Sequence, residues 1–200
     1  LGIVFDYPAD DTAPARSVTI AATPLPAPRG KRLGAIGAGN YATRMLLPAF
    51  VKAGAVPVAI AGSGSVAEVH AARKFGFARA SSAADEVIAA PDVDLVAIAT
   101  RHDSHAAYVI KALRANKAVF VEKPLALTGD EIDAVETAYK AASAPFLMAG
   151  FNRRFSPFVV PMAAQLRRMR APAAISITVN AGAIPADHWT QDLAIGGGRI

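Results

Sequence analysis

An open α/β fold with a doubly wound parallel sheet is what this 200-residue chain predicts, and three observations carry the expectation. Short apolar runs recur along the chain, separated by stretches of helical character. The runs stay apolar from end to end, as strands covered on both faces do. The first of them closes in a glycine turn, Gly37-Ala38-Gly39-Asn40-Tyr41-Ala42, that leads into a helix. In such folds the first strand–helix turn is a natural ligand site.

Before that turn, residues 1–7 read as a strand ended by Pro8. Asp10-Asp11 and Pro14 make a loop, and Val18-Thr19-Ile20 reads as a second short strand. Pro24, Pro26 and Pro28 then form a semi-rigid extended linker. Residues 1–30 are therefore expected to be leading strands plus linker, standing apart from the domain that begins at Lys31.

From Lys31 strands and helices alternate. After the first strand and its turn, residues 40–53 form a helix with a bend expected near Pro48. Val56–Ala61 is an apolar strand and Val66–Phe75 a helix. Ser82-Ala83-Ala84-Asp85 opens another helix in the manner of a capping box. Residues 94–99 are an apolar strand, residues 105–115 a helix and Ala118–Val121 a strand. Thr128-Gly129-Asp130-Glu131 caps a helix to about Ala142, and residues 146–149 are the next strand. Residues 31–149 thus form one expected domain. From residue 150 the pattern changes. Ser156-Pro157 reads as an N-cap followed by a proline at the first helical position, with the helix running to about Arg170. Residues 174–179 alternate apolar and polar like a half-exposed strand. Residues 150–200 are expected to begin a second α/β domain.

Composition narrows the function. The chain is 53% hydrophobic and 18% charged, which suits a packed core. Its net charge is +5, but the basic residues are scattered. The one dense group, Arg167-Arg168-x-Arg170, ends a predicted helix, where cations complement the dipole. Nucleic acid is not an expected partner. Without cysteine there is no disulfide and no thiolate chemistry. No zinc-ligand set is present, and no metal is expected. No apolar run is long enough for a membrane span, and no signal peptide is visible, so the expected location is the cytoplasm. The chain starts at Leu1 rather than Met and is expected to be a fragment.

Gly37-x-Gly39-x-x-Ala42 has the spacing of a dinucleotide-binding turn. Gly37 permits the sharp turn, Gly39 leaves room for a pyrophosphate, and Ala42 lets the helix pack against the strand. The pyrophosphate would rest on free N–H groups at the helix start. Alone, such a motif is as common in plain tight turns. Its place on the first strand–helix junction is what makes it a nucleotide site. Glu122-Lys123-Pro124 follows a strand at the same sheet edge. A lysine there can hydrogen-bond a substrate hydroxyl. By themselves, these three residues suit a surface ion pair and a turn proline better.

Together, the glycine turn, Glu122-Lys123-Pro124 and Gly150-Phe151-Asn152-Arg153-Arg154-Phe155 resemble the Gfo/Idh/MocA oxidoreductases over residues 31–200. The resemblance implies a Rossmann domain followed by an α/β domain carrying the substrate site and oligomer interface. It implies a dehydrogenase that uses NAD or NADP on a sugar or cyclitol, working as a homo-oligomer. Carried over, Gly37, Gly39, Asn40, Tyr41 and Ala42 match the cofactor turn. Lys123 matches the active-site lysine, with Glu122 and Pro124 as its neighbours. Thr100-Arg101-His102-x-x-His105 falls where the family has Thr-Pro-Asn-x-x-His. Thr100 and His105 fit, Arg101 and His102 depart, and the loop is expected along the nicotinamide side.

The second strand departs too. It ends in Gly62-Ser63-Gly64-Ser65, without the acidic residue that holds the adenosine ribose, which leans the expectation toward NADP. Gly62 and Ser63 remain the expected cofactor contacts there. Arg153 and His188 are candidate substrate contacts; the alternatives are a surface position for Arg153 and a His188-Trp189 pair that simply packs, with Trp189 covering the sheet. The family's substrate-site Asp and His follow a Gly-Gly-Gly turn, and Gly196-Gly197-Gly198 stands just before the last two residues here. This fragment is therefore expected to bind cofactor without turning over substrate. The rival reading is a non-catalytic nucleotide-binding module, which retention of Lys123 disfavours.

Overall fold

The computed structural model describes residues 16–20, 31–64, 66–143, 146–180 and 182–198. The strand expected at residues 1–7 and the proline linker lie outside them. Seven strands form one sheet: β1 (Ser17–Thr19), β2 (Arg32–Ile36), β3 (Val56–Ala61), β4 (Arg79–Ser81), β5 (Leu95–Ile98), β6 (Ala118–Val121) and β7 (Leu147–Ala149). Their order is β1-β4-β3-β2-β5-β6-β7. Every pair is parallel except β1 with β4. From β2 the chain winds outward through β3 and β4, then returns to build β5, β6 and β7 on the other side. The winding reverses between β2 and β5, and the ligand crevice of a doubly wound sheet opens at such a reversal.

Both faces are covered, which is why β3, β5, β6 and β7 are apolar throughout. On one face α3 (Ala84–Ala89), α4 (His105–Arg114) and α5 (Gly129–Ala141) pack Val87, Ile88, Val109, Leu113 and Val135 against Ile36, Val58, Val96, Ile98 and Val119. On the other, Leu47 of α1 (Leu47–Lys52) and Ala71 and Ala72 of α2 (Val66–Phe75) meet Leu33, Ala35, Ile60 and Phe77. Each large side chain fully buried in this way contributes roughly 1.5–3 kcal/mol. A Cβ built at Gly34 would stand 2.9 Å from Val87 Cγ1, so α3 can sit this close to β2 only over a glycine.

The irregularity expected near Pro48 takes the form of a π-type turn at Ala42–Leu46. The Leu47 N–H reaches back five residues to the Ala42 carbonyl, and Pro48, which has no N–H, sits in the first turn of α1. The cap at Thr128 is a full capping box. Thr128 Oγ1 accepts from the Glu131 N–H at 3.2 Å, and Glu131 Oε2 accepts from the Thr128 N–H at 3.2 Å.

Five expectations change. Val18-Thr19-Ile20, expected as a stray strand, supplies most of the sheet's outer strand β1. Strand β4 has no counterpart in the sequence reading. It is three residues long and contains a charge, Arg79, which pairs with Asp92 through two 2.7 Å contacts. The Ser82 capping box does not form: Ala83 takes the N-cap position, and the Ser82 hydroxyl donates to the Arg16 carbonyl at the β1 edge. The last helix, α6, covers only Val159–Leu166. Residues 174–179 form no strand, and all are exposed. Alternation alone does not make a strand, since the backbone groups need a ladder partner, and no described strand lies alongside.

Candidate functional site

A cleft of about 1010 Å³ opens where β2, β3, β5 and β6 end. The residues that follow these strands line it: Gly37 after β2, Gly62 after β3, Thr100 after β5, and Glu122 after β6. The topology therefore brings four separate sequence motifs to one place.

Gly37 forms the floor. It has φ +103°, and a Cβ there would stand 2.8 Å from the Ala99 carbonyl carbon. Only glycine fits both the conformation and the space. Its N–H donates to the Ala61 carbonyl at 2.7 Å, which ties the turn to β3. Gly39 is the opposite case: a Cβ there would meet nothing within 4 Å, because Gly39 faces open cleft. Asn40 and Tyr41 border the cleft, and Ala42 is buried under the helix start.

Beyond β6, Glu122 is nearly buried and Lys123 is exposed at the cleft. Burial pushes the Glu122 carboxyl above the usual carboxylate range, opposed by hydrogen bonds from the Lys123 N–H and from Tyr41. Tyr41 in turn accepts from Asn152 Nδ2 at 3.0 Å. A Cβ at Gly150 would stand 2.8 Å from Glu122 Oε1, so the carboxylate fits only against a glycine. Tyr41, Glu122, Gly150 and Asn152, far apart in sequence, are thus one contact group. The Lys123–Pro124 bond is cis.

The loop after β5 packs inward. His105 is fully buried, with Nδ1 2.6 Å from the Pro124 carbonyl and Nε2 3.2 Å from the Thr100 carbonyl. Burial holds its pKa below the ordinary 6.5, although both carbonyls favour the charged ring. A carbonyl only accepts, and the shorter contact assigns the neutral ring's proton to Nδ1. His105 therefore ties the β5 loop to the Lys123-Pro124 turn. Pro124 itself does not border the cleft; it contributes through this carbonyl. Thr100 Oγ1 lies 2.6 Å from Ser104 Oγ, and both residues border the cleft. His102 Nδ1 contacts the Gly196 carbonyl at 2.8 Å, and the Asp103 N–H donates to the Ile195 carbonyl.

The glycine-rich segment thus docks on the β5 loop and brings Trp189 into the cleft wall. Its ring lies edge-on to His102, with centroids 4.8 Å apart, while the Arg101 guanidinium stands 5.9 Å from the indole. Trp189 covers this loop and not the sheet. Arg153 and His188 do not border the cleft; their neighbours Asn152 and Trp189 do.

A family profile described as an oxidoreductase family with an NAD-binding Rossmann fold matches residues 31–151. The chain belongs to the Gfo/Idh/MocA family. An inositol 2-dehydrogenase from Acidothermus cellulolyticus is 37% identical over 70% of this chain and 41% of its own length. A levoglucosan dehydrogenase from Pseudarthrobacter phenanthrenivorans is 36% identical over 63% of this chain and 33% of its own. Among solved structures, a point variant of KijD10, a 3-ketoreductase from Actinomadura kijaniata in complex with TDP-benzene and NADP, is 25% identical. It superposes with a TM-score of 0.70 over 84% of this chain and 52% of that one. The chain spans less than half the length of the two curated relatives.

The cleft suits the dinucleotide that this family's fold binds. Gly39 opens a space that any side chain would fill, and the turn leads directly into a helix start. Among the described residues no group of three or more His, Asp or Glu gathers as a metal site, and no helix is long and apolar enough to cross a membrane. Several lining residues, Glu68, Ser104 and Tyr108 among them, are not among the site residues that the sequence reading names. The acidic group missing from the end of β3 is supplied by Glu68 of α2, buried beside Gly62. Periodicity places Glu68 on a helix but does not show that it points back at the preceding strand.

Proposed function

We propose that this chain is the cofactor-binding portion of an NAD(P)-dependent dehydrogenase that moves a hydride between the nicotinamide and a hydroxyl-bearing carbon of a cyclitol or sugar. The observation that carries the reading is the position of Lys123, on the same cleft as the Gly37–Gly39 turn. The family match and the names of the two curated relatives support it.

The geometry supports the following roles. Gly37 and Gly39 keep the floor open for a pyrophosphate, and Asn40, Tyr41 and Ala42 set the helix against it. Gly62 and Ser63 border the adenosine end. Thr100, Arg101 and His102 line the nicotinamide side, braced by His105. When bound, the nicotinamide supplies the hydride acceptor or donor. The Lys123 ammonium donates a hydrogen bond to the reacting oxygen and steadies the negative charge that grows there as its proton leaves to solvent or to a base of the substrate domain. Glu122, held by Tyr41 and Gly150, fixes the backbone that aims Lys123. Residues 31–149 form the cofactor domain, and residues 150–200 begin the domain that completes the substrate site. The whole enzyme is a homo-oligomer.

Two measurements test this. Calorimetric titration of the chain with NAD⁺ and NADP⁺ should show saturable binding of at least one. In the full enzyme, Lys123→Met should lower kcat by a factor of roughly 10²–10⁴ while cofactor affinity changes little. Unchanged turnover by that variant on inositols and sugars removes the role of Lys123. Cofactor binding by the full enzyme without turnover of any such substrate favours the non-catalytic module.

A further inference from the structure

Glu68 has no part in the roles above, yet it is only 5% exposed and lines the cleft beside Gly62, Ser63, Ser82 and Ala84. It sits in the first turn of α2, and its Oε1 accepts the Ser63 N–H at 3.1 Å. A Cβ built at Gly62 would collide with that oxygen and stand 2.7 Å from Glu68 Cδ. The carboxylate therefore occupies the space into which a side chain at position 62 would project. Gly62 is the first residue after β3, about twenty residues beyond the glycine turn, where dinucleotide-binding folds carry the acidic residue that reads the adenosine ribose. Here the strand supplies only a glycine, and the helix returns the carboxylate.

Charge around the cleft is divided to match. The Lys and Arg residues that line it are Arg101 and Lys123, which follow β5 and β6. Neither stands at the β3 end. A phosphate on the adenosine 2′-oxygen would meet a carboxylate there, without the arginine that NADP sites use.

We infer that Glu68 sets the cofactor preference of this chain, selecting NAD over NADP. The inference rests on the proposed function and replaces the lean toward NADP that the bare strand end suggests. The charge, not the hydrogen bond to Ser63, does the selecting. Glutamine at this position keeps an oxygen for the Ser63 N–H and removes the charge.

The experiment is calorimetric titration of the 200-residue chain and its Glu68→Gln variant with NAD⁺ and with NADP⁺. The unmodified chain should bind NAD⁺ tighter by about tenfold or more, and the variant should narrow that ratio by about fivefold or more, mainly through tighter NADP⁺ binding. Equal affinity for both, a preference for NADP⁺, or an unchanged ratio in the variant overturns the inference while leaving the cofactor site standing. Binding of neither dinucleotide overturns the proposed function and the inference with it. If Glu68→Gln does not fold, the unmodified chain is titrated with AMP and with adenosine 2′,5′-bisphosphate. Tighter AMP binding supports the inference, and equal or tighter bisphosphate binding overturns it.

Discussion

Two glycines, Gly37 and Gly39, separate what the turn needs to fold from what it needs to bind. Gly37→Ala places a side chain at φ +103° against the Ala99 carbonyl. It should cost about 1–3 kcal/mol in urea unfolding and abolish cofactor binding as well. Gly39→Ala meets no protein atom within 4 Å. It should leave the unfolding midpoint nearly unchanged and still weaken cofactor binding by about tenfold or more, since the methyl group takes the space meant for the pyrophosphate. His105 is a residue-level test of pH. Burial lowers its folded pKa, so as pH falls below 6.5 the unfolded chain takes up the proton first, and stability declines down to the folded pKa. Histidine NMR titration should place the His105 midpoint below 6.5, and chemical unfolding should show the loss in the same window. The glycine turn is legible from its spacing together with its place on the first strand–helix junction, whereas Lys123 stands out only through the family resemblance, since Glu122-Lys123-Pro124 alone suits a surface ion pair. The contacts among Tyr41, Glu122, Gly150 and Asn152, and the return of Glu68 to Gly62, depend on how strands far apart in sequence converge. No local pattern encodes them.

Elements that make their own case are the ones the sequence reveals. Strands β2, β3, β5 and β6 are continuous apolar runs because both their faces are covered, and the run is visible without knowing the cover. Helix α5 announces its start through Thr128 and Glu131. Thr128→Ala should cost about 1 kcal/mol by chemical unfolding. It should leave cofactor affinity alone, since no residue of α5 borders the cleft. Strand β4 and the segment 174–179 fail in opposite ways for one reason. A strand is a pairing, and β4 exists because β3 and β1 flank it, although its sequence is short and charged. Residues 174–179 have the better strand pattern and no partner strand among the described residues. Ser82 fails as a cap in the same fashion, its hydroxyl taken by the edge strand.

At the scale of the molecule, the cleft is a product of winding: its walls belong to strand ends that only the reversal between β2 and β5 makes neighbours. Ligand binding should therefore brace the whole sheet. At a concentration one hundred times its dissociation constant, the preferred cofactor should add about 2.7 kcal/mol and raise the thermal midpoint by roughly 5–10 °C, read by calorimetric scanning. An unchanged midpoint would mean that the cofactor does not bind the folded chain in preference to the unfolded one. The docking of the glycine-rich segment on the β5 loop has an optical consequence. The chain contains a single tryptophan, and this contact puts it in the cleft wall. All indole emission from the protein therefore originates at the site itself. A reduced nicotinamide seated there overlaps that emission with its absorbance, so excitation of Trp189 should pass to the dihydropyridine ring and reappear as blue cofactor fluorescence. Occupancy can then be followed in the native chain without an attached dye.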